Sequence, residues 1–162
     1  MKKYLIYSLL FSYIVIGCSQ YTQAQDSSKY KSIIEQKILN KDFTFVANWV
    51  NPMTGTGRQL TDYYTLTIHK DSIIADLPYF GRSYTAPMDP TNIGVSLNDT
   101  GFSYSINKKK KDRWDIYITP KNQTTIQSFL LTVYDDGTAY LDVTSTNRNP
   151  ISYRGNIEEK HK

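Results

Sequence analysis

The sequence predicts a mainly β protein: an antiparallel β-meander of about eight or nine strands, closed as a barrel or folded as two packed sheets, with one amphipathic helix at the N-terminal side. Three observations carry this. From Phe43 to Ile157 apolar residues recur with a period of two. Turn residues interrupt that alternation at short intervals. Outside the N-terminal region, aromatic and β-branched residues outnumber strong helix formers, and Tyr occurs 14 times in the whole chain.

The elements follow in chain order. Lys2 and Lys3 form a basic start to an apolar run over residues 4–16 that only Ser8 and Ser12 interrupt. A run of about 13 residues is too short for a stable membrane span and suits a signal peptide over residues 1–17. Cys18, the single cysteine, follows Val15, Ile16 and Gly17 as the lipidated cysteine of a bacterial lipobox does. The alternative is ordinary cleavage after Ala24, with Thr22 and Ala24 as the small residues of the site. Residues 18–28 then form a polar tether, and residues 29–162 a single domain without a disulfide.

Ser28 can cap a helix over residues 29–40, in which Tyr30, Ile33, Ile34 and Ile38 share one face. The first strand alternates Phe43, Phe45, Ala47 and Trp49 with Thr44, Val46 and Asn48. Strands led by Leu66, Ile73, Phe102, Ile116, Leu131, Leu141 and Tyr153 follow, with a weaker one over residues 93–97. Phe45, Leu66, Ile116, Leu131 and Leu141 are expected to face inward. Lys70-Asp71 and Asp136-Gly137 suit tight hairpins; residues 98–101 and 147–150 read as longer turns. Short connections make consecutive strands antiparallel neighbours.

Residues 77–84, Leu-Pro-Tyr-Phe-Gly-Arg-Ser-Tyr, leave the generic pattern. Together with Asn147-Arg148, the stretch from Ile151 to Gly155, the opening at Phe43 and the hairpin at Gly137, they make the chain similar to an exported Bacteroidota family catalogued as domain of unknown function 4251. The resemblance spans residues 33–157. It implies export and one domain, and no activity, ligand or catalytic residue comes with it.

The residues limit the chemistry. With Cys18 at the leader junction and His161 in the tail, His69 is the one histidine in the body. A Cys/His zinc site or Cys–His nucleophile cannot be assembled, and a Ser-His-Asp triad would have to use His69. No metal or cofactor is expected. Removing Lys2 and Lys3 takes the charge balance from 19 against 15 to 17 against 15, which gives no electrostatic case for nucleic acid.

The expected partners are a membrane, through a lipidated Cys18, and an envelope component, partner protein or small ligand; lipid, heme and sugar are all compatible with a barrel. The alternative from another class is a hydrolase using Asp residues, with basic residues orienting an anionic substrate. Counting directions through a strict meander puts the 78–92 loop on one rim with the 52–58 loop, the Lys108–Lys111 run and the 135–137 turn, and Arg148 on the other with Lys70 and Asn98. Tyr79, Arg82 and Tyr84 on that loop are the candidate ligand contacts, stacking on a ring and pairing with an anion. The competing reading has Phe80 plugging the core and Arg82 capping backbone carbonyls.

Overall fold

A computed structural model describes residues 29–84, 94–109, 113–122 and 125–158. The leader, Cys18, the tether, Ser28, most of the long loop, Lys110, Lys111 and the His161 tail lie outside the described residues.

Helix α1 covers residues 29–40. It ends where Lys41 takes a left-handed conformation (φ 52°), the usual way a chain leaves a helix. Nine strands follow: β1 (Asp42–Pro52), β2 (Arg58–His69), β3 (Ser72–Leu77), β4 (Val95–Thr100), β5 (Phe102–Lys109), β6 (Arg113–Pro120), β7 (Ile126–Tyr134), β8 (Thr138–Ser145) and β9 (Ile151–Glu158). They form one antiparallel sheet in the order β4-β3-β2-β1-β9-β8-β7-β6-β5, wrapped into a nearly closed barrel.

Closure comes from a residue the period count treats as a turn. β4 pairs with β3 and β5 with β6, yet only Gly101 separates β4 from β5. Followed through the antiparallel ladder from either side of β1, the two run in the same direction. They are one bent strand, not a hairpin. Gly101 makes the bend at φ 97°, a region open to glycine at no steric cost. Its N–H donates to Asp71 O at 2.7 Å, and its carbonyl accepts from Lys121 N at 3.3 Å, so the corner is stitched to both flanking turns.

This bend changes which loops meet. One end of the barrel carries α1, the 70–71 turn, the end of β5 at Lys109 and the 135–137 turn. The other carries the 53–57 turn, residues 78–84, Gly94, the end of β6 at Pro120 and the 146–150 turn. The 78–84 segment therefore shares its rim with the 53–57 turn, as the sequence suggests, but with Arg148 rather than the lysine run. Lys108 lies at the helix end, paired with Glu35 at 2.6 Å. Without a reversal at Gly101, every later loop changes ends.

Buried apolar side chains from the helix and all nine described strands make the core. Phe45, Leu66, Ile116, Leu131 and Leu141 are all buried, as expected. Ile34 and Ile38 insert from α1 into the same core. The helix is held across its end by Tyr104 Oη donating to Ile38 O at 2.9 Å and Lys37 Nζ donating to Glu158 O at 3.2 Å. The alternation of the first strand breaks at Trp49. A bulge between Ala47 and Trp49 leaves Asn48 without a partner on either neighbouring strand, so Trp49 turns outward and Val50 takes the inward position.

Candidate functional site

The rim opposite the helix holds the residues singled out by sequence. Tyr79 points inward against the core, its single hydroxyl proton shared between Arg82 O at 2.8 Å and Asn149 O at 3.1 Å. The Arg148 guanidinium stacks over its ring at 4.8 Å and donates from Nη1 to Gly94 O at 2.9 Å. Burial raises the Tyr79 pKa, against a smaller opposing pull from Arg148.

Ser83 bridges Arg148, Tyr84 N donates to Asn147 O at 2.8 Å, Asn149 N donates to Arg82 O at 3.0 Å, and the Tyr84 hydroxyl meets the Asn149 side chain. Beneath them Tyr153 donates to Pro78 O at 2.8 Å. The stretch of residues 78–84 is thus a clasp onto residues 147–149 that covers the barrel mouth. Tyr79 fills the position expected of Phe80, which instead lies 37% exposed under the Arg58 guanidinium at 4.4 Å. The Arg82 and Tyr84 side chains face solvent while Tyr79 faces in, so the three do not line one concavity.

His69 is the other residue with catalytic chemistry. Its Nδ1 lies 2.9 Å from Asp42 Oδ1, two thirds of a triad, but Ser72 Oγ donates to the His69 backbone carbonyl and not to its ring. Asp115 is buried at 3.2 Å from both Arg113 Nε and Thr132 Oγ1, a contact internal to the sheet surface. Among the described residues no group of three His, Cys, Asp or Glu side chains gathers to hold a metal.

A concavity formed by described residues lies on the outer face of the barrel, across β1, β9 and β8. It is an open groove of about 540 Å³ lined by Asn48, Trp49, Asn51, Thr138, Tyr140, Arg154 and Asn156. The β1 bulge shapes it, beside a second irregularity in β2. The β1 bulge exposes Asn48 and Trp49 together, and β2 spends five steps from Gln59 to Tyr64 where β1 spends two from Trp49 to Ala47. The slack in β2 pushes Tyr63 outward until its hydroxyl donates to Glu158 Oε2 at 3.1 Å on β9.

Within the groove, Trp49, Arg154 and Tyr140 stand side by side in one register row. The Trp49 indole N–H donates to Asn51 Oδ1 at 3.0 Å, which fixes the ring plane. Gly57 leaves room for that pair, since a side chain there would start 2.4 Å from Asn51 Oδ1 and 2.8 Å from Trp49 Nε1. The Arg154 guanidinium lies 5.9 Å from the Tyr140 ring centroid, and Tyr134 supports Tyr140 edge-on at 6.0 Å. None of the seven lining residues is acidic. Strict alternation sets Trp49 in phase with Phe43, Phe45 and Ala47; two consecutive exposed residues in a strand are visible only once the bulge is seen.

Comparisons with known proteins agree with the fold. Nothing among curated proteins matches the sequence. The chain is similar to the crystal structure of a DUF4251 family protein from Bacteroides eggerthii DSM 20697, with a TM-score of 0.62 and 18% identity over 83% of this chain and 90% of that one. The family model described as "Domain of unknown function (DUF4251)" matches residues 24–157, nearly the whole domain, and the chain belongs to that family.

Proposed function

We propose that this is a non-catalytic module of the cell envelope that binds a ligand or partner on the outside of its barrel. The observation that carries the reading is the β1–β9–β8 groove, where an ordered indole, a tyrosine and a guanidinium are exposed together. Its volume falls in the ~300–1,000 Å³ range of small-ligand sites. The hydrolase reading lacks comparable support: Asp42, Asp99, Asp115 and Asp142 are engaged with His69, Asn122, Arg113 and Ser152 respectively, and no carboxylate lines the groove.

Export rests on the leader, and attachment rests on Cys18 following Val15-Ile16-Gly17. Acylation there would hang the domain from a membrane by the 18–28 tether, with acyl chains supplying the anchor. Cys18→Ala then releases the protein from membranes or leaves it unprocessed. A mature N-terminus at Gln25 overturns the anchor.

The groove is tested by fluorescence. Trp49 is 39% exposed and Trp114 only 2%, so an occupant of the groove changes the emission of one tryptophan alone. Titrating the purified domain with fractionated envelope extract should give a saturable change for wild type that is absent from Trp49→Phe. A wild-type signal that no fraction alters overturns the binding reading.

A further inference from the structure

We propose that the β1–β9–β8 groove takes a glycan carrying carboxylate groups, a uronic-acid type sugar; this rests on the reading of the groove as the domain's binding surface. The argument is one of matching groups. The groove's floor is sheet whose strands pair on both sides, β1 with β2 and β9, β9 with β1 and β8, β8 with β9 and β7. Except at the Asn48 bulge, backbone groups are already spent on the ladder, so an extended peptide cannot bind there by adding a strand.

What the floor offers is side chains of three kinds. Trp49 and Tyr140 present aromatic surface, whose electron-rich faces attract the slightly positive C–H face of a pyranose ring. Asn48, Asn156 and Thr138 supply groups that both donate and accept, as sugar hydroxyls do. Arg154 supplies charge and stands between the two rings, in the row Trp49–Arg154–Tyr140. A neutral sugar leaves that charge without a counterpart, since no lining residue is acidic. A sugar carboxylate pairs with it in the two-pronged geometry that guanidinium favours.

Features that cost the fold regularity hold these groups in place. The β1 bulge exposes Trp49, Gly57 leaves space for the indole–Asn51 pair, and Gly155 lies between Arg154 and Asn156 where a side chain would begin 1.9 Å from Val46 O. The openness of the groove suits a chain lying along the surface rather than a small molecule engulfed by it.

The test uses calorimetry and Trp49 emission on the mature domain, with three probes of equal length: tri-galacturonate, neutral maltotriose and a triglutamate peptide. Tri-galacturonate is expected to bind most tightly. Arg154→Ala should weaken it about 10- to 100-fold, the range for losing a charge-assisted hydrogen-bonded pair, and Arg154→Lys should restore only part. Trp49→Ala should weaken both saccharides about 10-fold. Both side chains are exposed, and circular dichroism checks that the variants stay folded. Triglutamate binding as tightly as tri-galacturonate overturns the glycan, maltotriose binding as tightly overturns the role of Arg154, and affinity unchanged in Trp49→Ala overturns the location. If no probe binds while envelope extract still alters Trp49 emission, the sugar inference falls and the groove reading stands; if nothing alters it, both fall.

Discussion

Tyr153, Arg154 and Gly155 are consecutive in β9, and each has a different task. Tyr153 is fully buried and donates to Pro78 O, tying the core to the clasp at the barrel mouth. Arg154 faces the opposite way into the groove, and Gly155 faces inward where Phe45 needs the space, its missing side chain beginning 2.9 Å from the Phe45 ring. Burial raises the Tyr153 pKa well above its ordinary 10.0, outweighing a smaller lowering by Arg148. Tyr104, half-buried beside α1, is raised for the same reason. The sign follows from linkage. Above pH 10 these tyrosines ionise in the unfolded chain but stay protonated in the fold, so stability present below pH 10 is lost as pH rises. Urea midpoints from about pH 9 to about pH 11 should fall for wild type and fall less steeply for Tyr153→Phe. That variant should also lose about 1 kcal/mol at neutral pH with its hydrogen bond. Parallel profiles would remove Tyr153 from the account.

Among the elements, α1 depends on the barrel more than on itself. A helix of this length is marginal in water, and packing of one face supplies its stability. Ile34 and Ile38 are buried, whereas Leu39 is 62% exposed, so the apolar stripe is narrow. The polar side is fastened by Lys108 to Glu35 and by Lys41 lying over Tyr104 at 5.4 Å. The exposed ion pair adds little beside the buried isoleucines. Ile38→Ala is expected to cost about 2–5 kcal/mol, and Lys108→Ala under about 1 kcal/mol, in denaturant midpoints. Equal effects would mean that electrostatics, not packing, seats the helix.

For the whole molecule, closure decides the architecture. A barrel has no free edges, and here the two would-be edges are the halves of one bent strand. Beside the Gly101 corner, Asn122 clamps β4, donating from Nδ2 to Asp99 Oδ1 at 2.8 Å and from its backbone N–H to Oδ2 at 3.2 Å. These bonds, the Asn122 side chain first, hold the Asp99 carboxyl below its usual 3.8 against the opposing effect of desolvation. The clamp's contribution is therefore complete above the unfolded value and lost as pH falls through the lower folded one. Between about pH 5 and about pH 2.5, wild type should lose more of its urea resistance than Asp99→Asn. Equal losses would show that the clamp is not what acid releases.

The sequence by itself set an export leader and a lipidation cysteine as expectations, and determined what the described residues show: one N-terminal helix, a nine-stranded antiparallel sheet and the inward residues from Phe45 to Leu141. Those depend on local periodicity, which each strand carries within its own residues. Tertiary structure alone decided three things. Gly101 bends a strand instead of reversing it, because both halves find partners on separate edges. Loops 78–84 and 147–149 consequently meet at one rim, drawing Tyr79 inward and leaving Arg82 and Tyr84 outside. Trp49 joins Arg154 and Tyr140 on the outer face because an unpaired Asn48 shifts the register by one residue, and a shift of one moves a side chain to the other side of a sheet. None of these is written in a window of neighbouring residues; each follows from which strand lies beside which.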